Sequence, residues 1–136
     1  MDVDRLDTPV AEQMTTPVRT VEPTLAVAEA ARVLWDERIG SLLLEDGAGI
    51  LTESDVTRGV AVGIEPETTP VRELATTELV TIPADATVQD AVVRMADHDI
   101  KKLPVVQQGQ LVGILTTADI ARGLVPDLDE VIAAFQ

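Results

Sequence analysis

The sequence predicts an α/β (α+β) chain made of two tandem β-α-β-β-α repeats, and three observations carry that expectation. The segment Thr8-Pro9-Val10-Ala11-Glu12 returns 61 residues later as Thr69-Pro70-Val71-Arg72-Glu73. At the same offset Val27, Ala30, Ala31 and Leu34 map onto Val88, Ala91, Val92 and Met95, an i, i+3, i+4, i+7 apolar face in both copies. A third block, Gly49 to Val60, matches Gly113 to Leu124 with seven of twelve positions identical, now at an offset of 64. Duplication followed by a three-residue insertion between Leu103 and Gly113 accounts for both offsets.

Each copy reads in the same order. A short helix opens at Thr-Pro, with threonine as the expected cap and proline at the first helical position. A short strand follows, Val18 to Val21 or Leu79 to Ile82, and then the amphipathic helix, Val27 to Arg38 or Val88 to Asp97. Two apolar strands come next, Ser41 to Glu45 with Gly49 to Leu51, or Leu103 to Val106 with Gln110 to Leu115. Asp46-Gly47 and Gln108-Gly109 supply the turns between them. A last helix covers Ser54 to Val62, or Thr117 to Leu124, stopped in the second copy by Pro126. The expected boundaries are 8–63 and 69–125 for the two repeats, with an amphipathic tail helix over 126–136 carrying Leu128, Val131, Ile132 and Phe135. A three-stranded sheet with helices on one face leaves the other face apolar, so the repeats are expected to pack sheet to sheet about a pseudo-two-fold axis.

Composition excludes several function classes. The 136 residues carry 24 acidic and 10 basic side chains, a net charge of −14 that repels phosphate backbones, so direct binding to nucleic acid is not expected. There is no cysteine, which removes disulfides, thiolate metal sites and cysteine nucleophiles and fits a reducing, cytoplasmic setting. No apolar run is long enough to span a membrane, and the N-terminus lacks a signal-peptide pattern. Eight of the ten basic residues are arginine, and that balance among so many carboxylates resembles proteins of salt-loving microbes. His98 is the single histidine, expected at the surface, and no nucleophile-base pair or calcium loop is evident, so an enzyme is not expected. Trp35 and Phe135 are read first as packing residues.

The order of elements, the doubled Gly-Ile-Leu-Thr-x-x-Asp segment and the stretch Ile100-Lys101-Lys102-Leu103-Pro104-Val105-Val106 together resemble a tandem cystathionine-β-synthase (CBS) domain pair, over about Pro9 to Val125. The resemblance implies clefts between repeats that hold adenosine-containing ligands such as AMP, ADP, ATP or S-adenosylmethionine, no required cofactor, and assembly as a homodimer. Asp55 and Asp119 match the family's ribose-binding aspartate, and a carboxylate accepts from two vicinal hydroxyls with charge-assisted strength. Thr52 and Thr116 open helices whose free amides favour a phosphate. Spacing alone supports a second reading of both Thr-x-x-Asp pairs as capping boxes, the pattern that Thr87-Val88-Gln89-Asp90 also shows.

By the same resemblance the favoured cleft gathers Thr16, Val18, Ile39, Lys101, Lys102, Ile114, Thr116 and Asp119. The second cleft gathers Ile50, Thr52, Asp55, Thr77, Val80 and Ile100. Lys101 and Lys102 are replaced by Gly40 and Ser41 in the first copy, Leu43 stands where the second copy has Pro104, and the first hairpin is shorter. The two clefts are therefore expected to differ, with the better phosphate chemistry beside Asp119. The function this implies is a regulatory nucleotide-sensing module acting on a partner protein in trans. The alternative is a ligand-free dimerisation or protein-interaction scaffold.

Overall fold

The structure, a computed structural model, describes residues 6–16, 18–45, 47, 49–124 and 133–134. Among the described residues, six strands and four α-helices follow in the order β1 Thr20–Val21, α1 Val27–Glu37, β2 Ser41–Leu44, β3 Ile50–Thr52, α2 Glu53–Ala61, β4 Ile82–Pro83, α3 Val88–His98, β5 Lys102–Gln107, β6 Gln110–Thr116 and α4 Thr117–Leu124. Short 3-10 turns at Val10–Glu12 and Val71–Glu73 follow the two Thr-Pro pairs. The strands form two sheets, β1-β2-β3 and β4-β5-β6, each with a parallel first pair and an antiparallel second pair. Two β-α-β-β-α repeats are thus present. The expected tail helix lies outside the described residues, apart from Ala133 and Ala134.

The helices form where the 3.6-residue period places them. Val27, Ala30 and Leu34 of α1 are buried, as are Val88, Ala91 and Met95 of α3. Val92, expected on the same face, sits at its margin and is 40% exposed. Both helices end on a left-handed residue, Arg38 and Asp99, whose amides return to the carbonyls of the last turn. In the second hairpin Gln108 and Gly109 both take positive φ, which a two-residue turn of matching twist requires. That hairpin is the longer one, pairing Lys102 with Thr116 at its base, whereas Ser41 pairs with Thr52 in the first.

The compact units do not coincide with the sequence repeats. One contains residues up to 17 together with those from 80 onward, and the other spans 18–79. Each is completed by a Thr-Pro segment from the other repeat. Val10, fully buried, joins a core of Ile82, Val88, Ala91, Leu103, Val105 and Leu115. Val71, also fully buried, joins Val21, Val27, Ala30, Leu34, Leu42, Leu44 and Leu51.

This exchange corrects the expectation for the two threonines. Neither caps its own short helix: the N-caps are Pro9 and Pro70, both extended and without a side-chain bond. Proline's fixed φ fits extended backbone as well as a helix start, and here each proline bridges to the residue before a long helix, Pro9 to Thr87 and Pro70 to Ala26. The threonine carbonyls then accept the first helical amides, Val88 N to Thr8 O at 2.9 Å and Val27 N to Thr69 O at 2.8 Å. Helix α1 has no side-chain cap at Ala26, so the Thr69 carbonyl takes over part of that function.

Glycines of the doubled block mark where the exchanged segments approach. A Cβ on Gly49 would lie 2.9 Å from the Thr76 carbonyl, while one on Gly123 would meet the end of the Gln13 side chain. Gly49→Ala is therefore expected to destabilise the protein by about 1–3 kcal/mol, the cost of overpacking against backbone. Gly123→Ala should fall within about 1 kcal/mol of the parent, because Gln13 can swing aside and alanine favours the helix. Urea unfolding midpoints of the two variants check the difference.

Candidate functional site

The site is built on helix starts. Thr52 takes extended backbone, its hydroxyl accepts the Asp55 amide at 3.3 Å, and Asp55 Oδ2 accepts the Thr52 amide at 2.9 Å. Thr116 and Asp119 repeat this at the start of α4 with distances of 3.1 and 2.9 Å. Thr87 and Asp90 do so at the start of α3, both at 3.1 Å. The capping reading of the motif holds at all three positions. It engages one carboxylate oxygen and leaves the other free for a different partner, so capping and ligand binding are compatible.

That second partner separates the three aspartates. Asp90 is exposed. Asp55, only 4% exposed, receives Arg58 on Oδ1 at 3.1 Å, and the same guanidinium nitrogen donates to the Leu74 carbonyl at 3.4 Å. Asp119 keeps the equivalent Arg122 at 3.8 Å and instead accepts the Thr15 hydroxyl, at 3.2 Å on Oδ1 and 3.3 Å on Oδ2. Thr15, Arg58 and Arg122 were not among the residues read from the sequence. The arginines were visible as the doubled Asp-x-x-Arg, and Thr15 as the doubled Thr-Thr.

Of the residues expected in the favoured cleft, the unit holding Asp119 brings together Lys101, Lys102, Ile114 and Thr116. Lys102 lies on β5 opposite Thr116 and is half-buried, whereas Lys101 is exposed and its carbonyl accepts the first amide of α4 from Thr117 at 3.1 Å. In the other unit the Gly40 carbonyl accepts from Glu53 N, which fixes Gly40 and Ser41 as the counterparts of the lysines. Ile114, 9% exposed, exchanges two backbone bonds with Thr15, and Thr16 beside it is exposed. Val18 and Ile39 belong to the unit spanning 18–79. Ile50, Thr52, Asp55 and Thr77 share that unit, while Val80 and Ile100 pack on the core of the other.

A groove of about 760 Å³ runs between α1 and α2, lined by Leu34, Trp35, Arg38, Ile39, Glu53 and Val56. Trp35 is 83% exposed there, which overturns its reading as a packing residue: it falls one position past Leu34 and off the buried stripe. His98 ends α3 and is exposed, as expected. Among the described residues no group of three or more His, Asp or Glu side chains could hold a metal ion, and no helix is long and apolar enough to cross a membrane.

Two three-stranded sheets, a doubled Thr-x-x-Asp helix start and their shared register define the class. The chain belongs to the CBS domain family, whose model matches residues 8–62 and 71–126. It is 39% identical over 116 residues to the CBS domain-containing protein YhcV of Bacillus subtilis, covering 82% of each chain. Among solved structures it resembles a putative signal-transduction protein with CBS domains from Burkholderia ambifaria, with 28% identity and a TM-score of 0.81 over 88% of this chain and 96% of that one. It also resembles the CBS domain pair of MJ0100 in complex with 5′-methylthioadenosine and S-adenosyl-L-methionine, with 28% identity and a TM-score of 0.75 over 85% and 94%. The family and its neighbours support a regulatory ligand-binding module.

Because each aspartate satisfies a helix-start amide, Asp119→Ala is expected to cost about 1 kcal/mol of stability. Asp55→Ala should cost more, about 1–2 kcal/mol, since its buried carboxylate also holds Arg58. Equilibrium unfolding in urea measures both, and equal costs would contradict the different surroundings.

Proposed function

We propose that this chain is a sensor of an adenosine-containing nucleotide (AMP, ADP, ATP or S-adenosylmethionine) that binds at Asp119 and regulates a partner protein in trans. The observation that carries the reading is the grouping of Lys102, Thr116 and Asp119 at the start of α4. Asp119 offers ribose hydroxyls a carboxylate that accepts a replaceable threonine hydroxyl and has Arg122 standing off at 3.8 Å. Lys101 and Lys102, beside the positive end of the α4 dipole, offer a phosphate charge. Thr16 and Ile114, in the same unit as Asp119, are the residues we assign to the purine.

The site at Asp55, with Ile50, Thr52 and Thr77, is the weaker one. Its carboxylate is buried and engaged by Arg58, and Ser41 stands where the other unit has Lys102. The ligands of the MJ0100 pair support an adenosine compound as the class. Nothing in the arrangement supplies a nucleophile with its base, which favours binding over catalysis. A cysteine-free chain suits the cytoplasm.

Calorimetric titration with AMP, ADP, ATP and S-adenosylmethionine tests the reading, and saturable binding of one of them is the expected result. Asp119→Asn keeps the capping acceptor but loses the charge, and should weaken that binding roughly tenfold or more, the worth of a charge-assisted hydrogen bond. Asp55→Asn should change it less than about twofold if Asp119 carries the binding. Equal losses from both variants would overturn the asymmetry.

A second observation favours homodimer formation whether or not ligand is bound. Trp35 projects beside a groove that also carries Arg38, Asp36 and Glu53, so the same patch offers an aromatic anchor and charges of both signs, as a self-complementary two-fold contact needs. Trp35→Glu should convert a dimer to a monomer in sedimentation velocity. A dimer that persists in this variant would place the contact elsewhere.

A further inference from the structure

Three of the attachments that hold segment 6–16 to its unit bear on the site. Val10 fills the core, with its amide and that of Ala11 bonded to the carbonyls of Ala86 and Ala84. Thr15 forms a two-way backbone bridge with Ile114, at 2.8 and 3.1 Å. The third attachment is the Thr15 hydroxyl on Asp119.

That last contact is chemically distinct from its counterpart. In the other unit Thr76 makes the same two-way bridge, with Ile50, yet Asp55 is tied to the exchanged segment through Arg58 and the Leu74 carbonyl. Asp119 is tied by an aliphatic alcohol shared between both carboxylate oxygens at 3.2 and 3.3 Å. Hydroxyl donors to oxygen normally sit at about 2.5–3.0 Å, so this bond is long and weak. A ligand hydroxyl able to reach the ordinary distance would displace it.

We propose that the Thr15 hydroxyl is an internal competitor for the ligand at Asp119, so that ligand entry releases this tie and loosens the end of the exchanged segment. The inference rests on the nucleotide reading given above. The segment stays anchored by Val10, so only its last residues respond. These residues lead directly into the chain entering the unit that begins at Val18. Linkage makes the effect reciprocal: whatever strengthens the Thr15 contact weakens the ligand, and the converse.

The test uses Thr15→Val, which keeps size and backbone pairing and removes the donor. The adenosine ligand that the parent protein binds, identified by titration with AMP, ADP, ATP and S-adenosylmethionine, should bind Thr15→Val about three- to tenfold more tightly. Thr15→Ser, which retains the hydroxyl, should bind as the parent does. An independent measurement needs no variant: saturating ligand should speed hydrogen exchange of the Thr15 amide in the parent protein. Unchanged or weaker affinity in Thr15→Val, or slower exchange on ligand binding, overturns the competitor and leaves the sensor intact. A parent protein that binds none of the four ligands overturns both.

Discussion

Two completely buried valines hold the fold together. Val10 and Val71 each carry a short segment of one repeat into the core formed by the strands and helices of the other. Burying a valine side chain stabilises by roughly 1.5–3 kcal/mol. The accompanying backbone bonds matter as much, because the first amides of α1 and α3 find acceptors in Thr69 and Thr8. Without the exchanged segments both long helices would begin with an unsatisfied amide over a core that lacks a side chain. The arrangement also bears on why Gly49, Gly59, Gly113 and Gly123 occur as matched pairs: each lies where the exchanged segment comes close, against its backbone at Gly49 and Gly113 and against side chains at Gly59 and Gly123.

The candidate site grows out of that architecture. A Thr-x-x-Asp helix start is first a way to satisfy amides, and it does so three times in this chain. Two of the three place the carboxylate where an exchanged segment can reach it, and there the copies diverge. Arg58 closes one carboxylate with a charge, while Thr15 meets the other with an alcohol. Two residues on the neighbouring strand reinforce the divergence, since Ser41 and Lys102 occupy the same register opposite Thr52 and Thr116. Identical motifs thus acquire different chemistry through residues outside the motif.

Much of this was legible in the sequence because it is local or periodic. The four helices, both hairpins and the capping pairs follow from spacing, turn residues and the doubled blocks. The leading strands shrank to Thr20–Val21 and Ile82–Pro83 because each pairs along one edge with only two residues of its neighbour. Sequence order concealed the exchange, since a segment next to its own repeat along the chain gives no sign that it packs with the other. Trp35 illustrates a different limit. Its size argued for burial, but the helical period placed it outside the stripe of Val27, Ala30 and Leu34. Thr15 escaped notice because its role depends on the fold bringing it to a residue 104 positions away.

The exchange of segments has a consequence for origins. A solitary repeat would own a Thr-Pro arm with no matching core and a core with no matching arm. Two solitary copies would cure both defects at once by trading arms, the reciprocal geometry of a domain-swapped dimer. This chain makes the same exchange of arms within one polypeptide. The linker through residues 63–69 converts an association that would depend on protein concentration into an intramolecular one with a high, constant effective concentration. Once joined, the halves no longer had to be identical, and mutations such as those separating Ser41 from Lys102 could accumulate in one half alone.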